Sequence, residues 1–175
     1  MQIYQVLPFK TKLLLMNKNF ILCFFFIVCL CRISNAQFIE NFNDGDFTEN
    51  PAWTGNVNDF LVNSAFQLQS NDTVANSNYF LTTPNSLAIN AHWEMYIRIA
   101  FNPSSANFID VYLTASAADL SLNTTTGYFL RIGNTDDEIS LYRKDTGGTI
   151  NKIIDGVNGI LNKSNNVMKI EVIRD

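Results

Sequence analysis

Cysteine is absent from everything after residue 31. Cys23, Cys29 and Cys31 all lie in one apolar run near the start of the chain. Cut after that run, the chain has no disulfide, no thiolate nucleophile and no cysteine-ligated zinc. Histidine is nearly as scarce. His92 is the only one, so a histidine metal site or a Ser-His-Asp triad would hang on it alone, and its place at the start of a strand pattern reads as a surface position. Four prolines and eight glycines leave no linker-like stretch, and there is no internal repeat and no block of like charge. No apolar run reaches the ~20 residues that a membrane-spanning helix needs.

The longest apolar run covers residues 20–31. Lys10, Lys12 and Lys18 precede it, and Arg32-Ile-Ser-Asn-Ala36-Gln37 follows, placing small residues three before and one before a cut after Ala36. A basic start, an apolar core of about a dozen residues and a small-residue exit define a secretory signal peptide. We therefore expect residues 1–36 to be a signal helix that is removed, Gln37 to begin the mature chain, and the product to be secreted or held at the cell surface. Met16 opens a tidier signal and is an alternative start. Leu22 before Cys23 and Leu30 before Cys31 lack the small residue of a lipoprotein signal. An exported domain without disulfides fits a bacterial source better than a eukaryotic one.

Removing the signal takes four of the 12 basic residues and none of the 16 acidic ones, leaving eight against 16 and a net charge of −8. This argues against nucleic-acid binding, which relies on clustered Lys and Arg, and fits a chain kept apart by its own charge. No transmembrane span is expected after signal removal. Residues 37–175 suit one domain large enough to bury a core.

What the chain does have is alternation, the period-2 mark of half-buried strands. In Ala91-His-Trp-Glu-Met-Tyr-Ile-Arg-Ile-Ala-Phe101, Trp93, Met95, Ile97, Ile99 and Phe101 point one way and His92, Glu94, Tyr96 and Arg98 the other. Residues 107–115 alternate too, with Ile109, Val111 and Leu113 opposite Phe108, Asp110, Tyr112 and Thr114. Further strands are predicted at 38–42, 59–62, 65–69, 78–82, 128–132, 138–144, 150–154 and 167–174. Turn clusters separate them: Asn43-Asp-Gly-Asp46, Asn102-Pro-Ser-Ser105, Gly133-Asn-Thr-Asp136 and Asp145-Thr-Gly-Gly148. One short helical turn is predicted near 116–122. Many short strands with almost no helix mean an all-β sandwich or barrel. The last strand, 167–174, is apolar on one face and has no partner after it. Long unprotected edges invite association, so we expect it to be central in a longer domain, the given chain to be C-terminally incomplete, and residues 37–175 alone to associate through that edge.

Gln37-Phe-Ile-Glu-Asn-Phe-Asn-Asp-Gly-Asp-Phe-Thr48, Pro51-Ala-Trp-Thr-Gly55, Phe60-Leu-Val-Asn63 and Phe66-Gln-Leu-Gln69 resemble the opening of a family of exported Bacteroidetes proteins. These begin with a concanavalin A-like (laminin-G-like) jelly-roll domain, often followed by lamin-tail domains or a type IX secretion sorting domain. Trp93–Phe101, Gly127-Tyr-Phe-Leu-Arg-Ile-Gly133, Ile139-Ser-Leu-Tyr-Arg143 and Met168-Lys-Ile-Glu-Val-Ile-Arg-Asp175 are similar to its strand order. The resemblance rests on hydrophobic pattern and a few Trp, Gly and Tyr positions across nearly all of 37–175. It implies a two-sheet antiparallel jelly-roll sandwich, with further strands beyond residue 175, and names no activity.

Enzymes of that fold that cleave β-glucans carry Glu-x-Asp-x-x-Glu on one strand, placing acid and nucleophile on a shared face. Glu94 has no Asp two residues on, and Asp136-Asp-Glu138 falls in a turn; catalysis is not expected. Asn43-Asp-Gly-Asp46 gathers oxygen donors around a glycine, as hard-cation loops do, which makes Asp44, Asp46 and Glu49 candidate ligands for a structural calcium; no other cofactor is implied. An antiparallel meander through 91–174 would put Glu94, Tyr96, Arg98, Asp110, Tyr112, Phe129, Arg131, Ser140, Tyr142, Lys144, Lys169 and Glu171 on one concave face. Rings flanked by charged hydrogen-bonding groups suit sugar binding, although Tyr, Arg and Thr also favour any exposed sheet surface. Trp53 and Trp93 are expected in the core. Asn71, Asn123 and Asn162 head N-x-Ser/Thr triplets that abundant Asn produces by chance. Asp72-Thr73-Val74 resembles the short O-glycosylation motif of exported Bacteroidetes proteins and would place Thr73 on an exposed loop. The expected function is a non-catalytic binding or adhesion module for a glycan or another surface polymer. The alternatives are a presentation domain of a larger surface protein and a glycoside hydrolase fragment.

Overall fold

The computed structural model describes residues 38–175; the signal peptide, its cleavage site and the alternative start at Met16 lie outside the described residues. The described part is all-β. Its strands are β1 (Thr54–Gly55), β2 (Phe60–Val62), β3 (Leu68–Ser70), β4 (Leu81–Thr82), β5 (Ala91–Ile99), β6 (Phe108–Ala115), β7 (Gly127–Gly133), β8 (Glu138–Lys144), β9 (Ile150–Ile154) and β10 (Asn166–Arg174), with one 3-10 turn at Val57–Asp59. No helix among the described residues is long and apolar enough to cross a membrane.

Every pairing is antiparallel. β6-β7-β8-β9 form a four-stranded meander, β5 pairs with β10 over nine residues, and β1–β4 and β2–β3 are small separate ribbons. In the long strands the alternation decides which side faces inward. Met95, Ile97 and Ile99 of β5 and Met168, Ile170 and Val172 of β10 meet Ile109 and Val111 of β6, Leu130 and Ile132 of β7, and Ile139 and Leu141 of β8. Leu161, from the turn before β10, closes the same cluster. Burying each large aliphatic side chain contributes about 1.5–3 kcal/mol, and that shared core makes the packing β-sandwich-like.

Expectations for the long strands agree with the structure to within two residues at their ends; those before residue 90 agree less well. Residues 38–42 form no strand. Glu40 Oε1 accepts from the Phe42 amide at 2.7 Å, Asn41 Oδ1 accepts from the Asn43 amide at 3.1 Å, and Phe42 has φ +55°. Short polar side chains thus capture the local backbone before a sheet can. Phe66, at φ +57°, sits in the turn that joins β2 to β3, so the 65–69 strand shrinks to Leu68–Ser70, and 78–82 shrinks to Leu81–Thr82. The helical turn expected at 116–122 is a non-helical loop, held where Asp119 Oδ1 accepts from the Ser121 amide and hydroxyl at 2.9 and 2.5 Å. In β6 a bulge follows Tyr112: Thr114, not Leu113, pairs with Tyr128. One extra residue reverses the facing beyond it, so Thr114 joins the inward row rather than the outward one. Gly127 opposite the bulge is required, because a Cβ there would lie 2.1 Å from the Thr114 carbonyl oxygen.

Candidate functional site

The single concave face expected across 91–174 does not exist. β5 and β10 belong to one sheet and β6–β9 to the other, and the two sheets share their inward rows. Their outward rows therefore point in opposite directions. Asp110, Tyr112, Arg131, Tyr142 and Lys144 are on one outer face; Glu94, Tyr96 and Arg98 are on the other.

The first of these faces is largely closed. Tyr112, Phe129 and Tyr142 occupy one cross-strand row, and their rings stack at 4.8 and 5.5 Å between centroids. Phe129, in the middle, is 0% exposed. In the next row Arg131 makes a bidentate pair with Asp110, both contacts 2.8 Å. Its guanidinium lies 4.3 Å from the Phe108 ring centre and 5.2 Å from that of Tyr142. The Asp110 hydrogen bonds hold the Arg131 pKa above its ordinary value, while burial, aided by the Asp110 charge, pushes the Tyr112 phenol up. Lys144 is buried and donates to the carbonyls of Leu120 and Leu122, both at 2.9 Å. Glu138 is 2% exposed. Its Oε1 accepts from Ser140 Oγ at 2.5 Å and Lys152 Nζ at 2.6 Å, while the Gly156 amide donates to Ser140 Oγ at 2.8 Å. A Cβ at Gly156 would lie 2.3 Å from the Ile139 carbonyl oxygen, so glycine lets the chain after β9 lie close over β8. Most of these polar groups have partners, as burial demands, while Glu138 Oε2 is buried without one.

The second face is open. Tyr96 stands in the middle of β5 with 75% of its surface exposed. Lys169, directly across the strand pair, holds its ammonium 5.8 Å from the Tyr96 ring centre. The same Nζ meets Glu94 at 2.9 Å and Glu171 at 2.6 Å, and His92 lies 3.6 Å from Glu171. Hydrogen bonds to Glu171 and then to Glu94 raise the Lys169 pKa; Lys169 in turn lowers that of Glu171. Arg98 donates to Asn165 Oδ1 at 2.9 Å. One ring thus lies over a charged, hydrogen-bonding surround that water reaches freely.

No protein-family model matches the chain, and no curated protein or solved structure matches it either.

Other sequence candidates separate in the same way. Asp44 and Asp46 serve their own turn: Asp44 Oδ1 accepts from the Asp46 amide at 3.1 Å, and Asp46 Oδ1 accepts from the amides of Phe47 and Thr48 at 2.7 and 2.8 Å. Those Thr48 bonds lower the Asp46 pKa. With Glu49 they gather no cation site, since no group of three or more His, Cys, Asp or Glu among the described residues is arranged to hold a metal. Trp93 lies on the inward row, opposite Val172, and Trp53 meets Phe38 edge-on at 6.3 Å; both are half-buried rather than core. Thr73 is exposed in an irregular loop, as expected, where Asp72 accepts from the Val74 amide at 2.7 Å and from the Ser77 hydroxyl. Sequence reasoning missed a shallow depression of about 660 Å³ at the end of the meander, lined by Thr114, Gly127, Tyr128, Arg143 and Asp145 among others. Arg143 is tied there to Asp145 at 2.8 and 3.0 Å. A charged residue on the inward row of β8, opposite Tyr128, was the available signal that the core stops before that point.

Proposed function

We propose that the chain is an exported, non-catalytic binding or adhesion module, a concanavalin A-like jelly roll that takes a glycan or another polyhydroxylated surface polymer on the outer face of β5 and β10. The observation that carries this reading is the 75% exposure of Tyr96 beside Lys169, Glu94 and Glu171. An exposed ring offers a flat apolar surface to the C–H face of a sugar, while its polar neighbours meet the hydroxyls. The secretory pattern of residues 1–36 and the net charge of −8 left after its removal support an extracellular setting. Three features favour this face over the meander face: exposure, a free aromatic surface and charged groups within reach of water.

Binding of the exported chain to an array of polysaccharides and glycans, compared with Tyr96→Ala, tests the proposal. At least one ligand class should bind, and Tyr96→Ala should weaken it roughly tenfold or more, the range for losing one aromatic anchor. Binding that persists unchanged in Tyr96→Ala, or no binding to any carbohydrate, would overturn it in favour of a presentation domain.

A further inference from the structure

We propose that two copies of this chain associate through the free edge of β10, antiparallel and centred on Ile170, to form a continuous β5-β10-β10-β5 sheet. This does not rest on the binding reading. β10 hydrogen-bonds only to β5 among the described residues, and no other backbone hydrogen bond reaches residues 166–174. Along these nine residues every second one therefore turns its amide and carbonyl to the free edge unpaired, which is a template for strand addition.

The second copy is selected by the strand's own pattern. A twofold axis through Ile170 puts Lys169 opposite Glu171 of the other copy, and Glu171 opposite its Lys169. Val167 then faces Ile173, Met168 faces Val172, and Ile170 faces itself. Opposite charges meet twice, and two exposed aliphatic pairs are covered: Val167 and Ile173 are 73% and 68% exposed. Opposite-charge and aliphatic cross-strand pairs are the favourable units of sheet pairing, and like charges directly opposite are unfavourable. Centring on Lys169 or on Glu171 instead would oppose two lysines or two glutamates. Ile170 is also the midpoint of Asn166–Arg174, so this register uses the whole strand. β5 matches itself, Glu94 against Arg98, only when centred on Tyr96, off the midpoint of Ala91–Ile99, and carries no exposed aliphatic row. Pairing through β10 is isologous and closes on itself, so it stops at two.

Sedimentation equilibrium of the full chain produced in an exporting host tests this, together with Lys169→Glu, Glu171→Lys and the double exchange. The wild type should be a dimer. Each single change replaces two attractive cross-strand pairs by two repulsive ones and should raise the dissociation constant roughly tenfold or more, and the double exchange should restore it. Val167→Cys/Ile173→Cys should form an interchain disulfide on oxidation, since these positions are opposite only between copies, whereas Val167→Cys alone should not. If a single charge variant fails to fold, the cysteine pair decides alone. A wild type monomeric up to about 100 µM, a dimer indifferent to both charge reversals, or equal cross-linking of Val167→Cys alone would overturn the proposal.

Discussion

The two outer faces of this molecule carry the same kinds of residue and have opposite fates. On β6–β8, Tyr142 and Lys144 are buried and Asp110, Tyr112 and Arg131 half-buried; the two tyrosines stack on Phe129, Asp110 pairs with Arg131, and Lys144 is tied to loop carbonyls. On β5 and β10, Glu94, Tyr96, Arg98, Lys169 and Glu171 face water. Alternation fixes the side to which a residue points, but what lies over that side comes from elsewhere in the chain. The meander face is closed by the 116–126 loop, whose carbonyls take Lys144, and by the chain at Gly156 over Ser140. Nothing comparable is hydrogen-bonded over Tyr96 among the described residues.

The sharpest way to break this contrast is to delete matched rings. Phe129→Ala should cost about 3–5 kcal/mol of stability, the range for a fully buried phenylalanine, measured as a loss of denaturant midpoint at unchanged slope. Removing the cation from the stacked rows comes next. Arg131→Met leaves the partly buried Asp110 without its bidentate partner and should cost about 1–3 kcal/mol. Lys144→Met should cost about 1–3 kcal/mol, because the Leu120 and Leu122 carbonyls lose their donor, and it should speed amide exchange in 116–126 more than in β5. On the open face, Tyr96→Ala should change stability by no more than about 0.5 kcal/mol; a loss as large as that of Phe129→Ala would erase the distinction.

The smallest effect is electrostatic. Lys169 lowers the Glu171 pKa from its ordinary 4.5. A carboxylate depressed in the folded state contributes stability that is present above its unfolded pKa and lost as pH falls through the folded one. The Glu171→Gln difference in melting temperature should therefore be visible above about pH 4.5 and fade below it. Exposure and salt keep this contribution small.

How much of this was legible depended on chain position. In β5, β7 and β10 the apolar row is unbroken on one parity, and in β8 it runs through Ile139 and Leu141 to Arg143, so register and facing could be read directly, and Trp93 and Tyr96 do lie on opposite sides. The bulge at Leu113 left no such mark, because Leu113 and Thr114 fit a continuing alternation until the pairing with Tyr128 is known. Before residue 90, Asn and Asp side chains such as Asn41, Asn63 and Asp72 bind nearby backbone, and local turns replace the strands that composition suggested. The division of the polar residues between two sheets was illegible for another reason. Consecutive long strands look like neighbours in sequence, yet β5 skips β6 and pairs with β10, and no local pattern encodes a pairing that long in sequence separation.

One experiment addresses the two-face description most directly: hydroxyl-radical footprinting of the tyrosines in the native chain, read residue by residue by mass spectrometry. Tyr96 should be modified rapidly, while Tyr142, which is 9% exposed and stacked on Phe129, should be protected until the protein unfolds. Equal rates at Tyr96 and Tyr142 would contradict it.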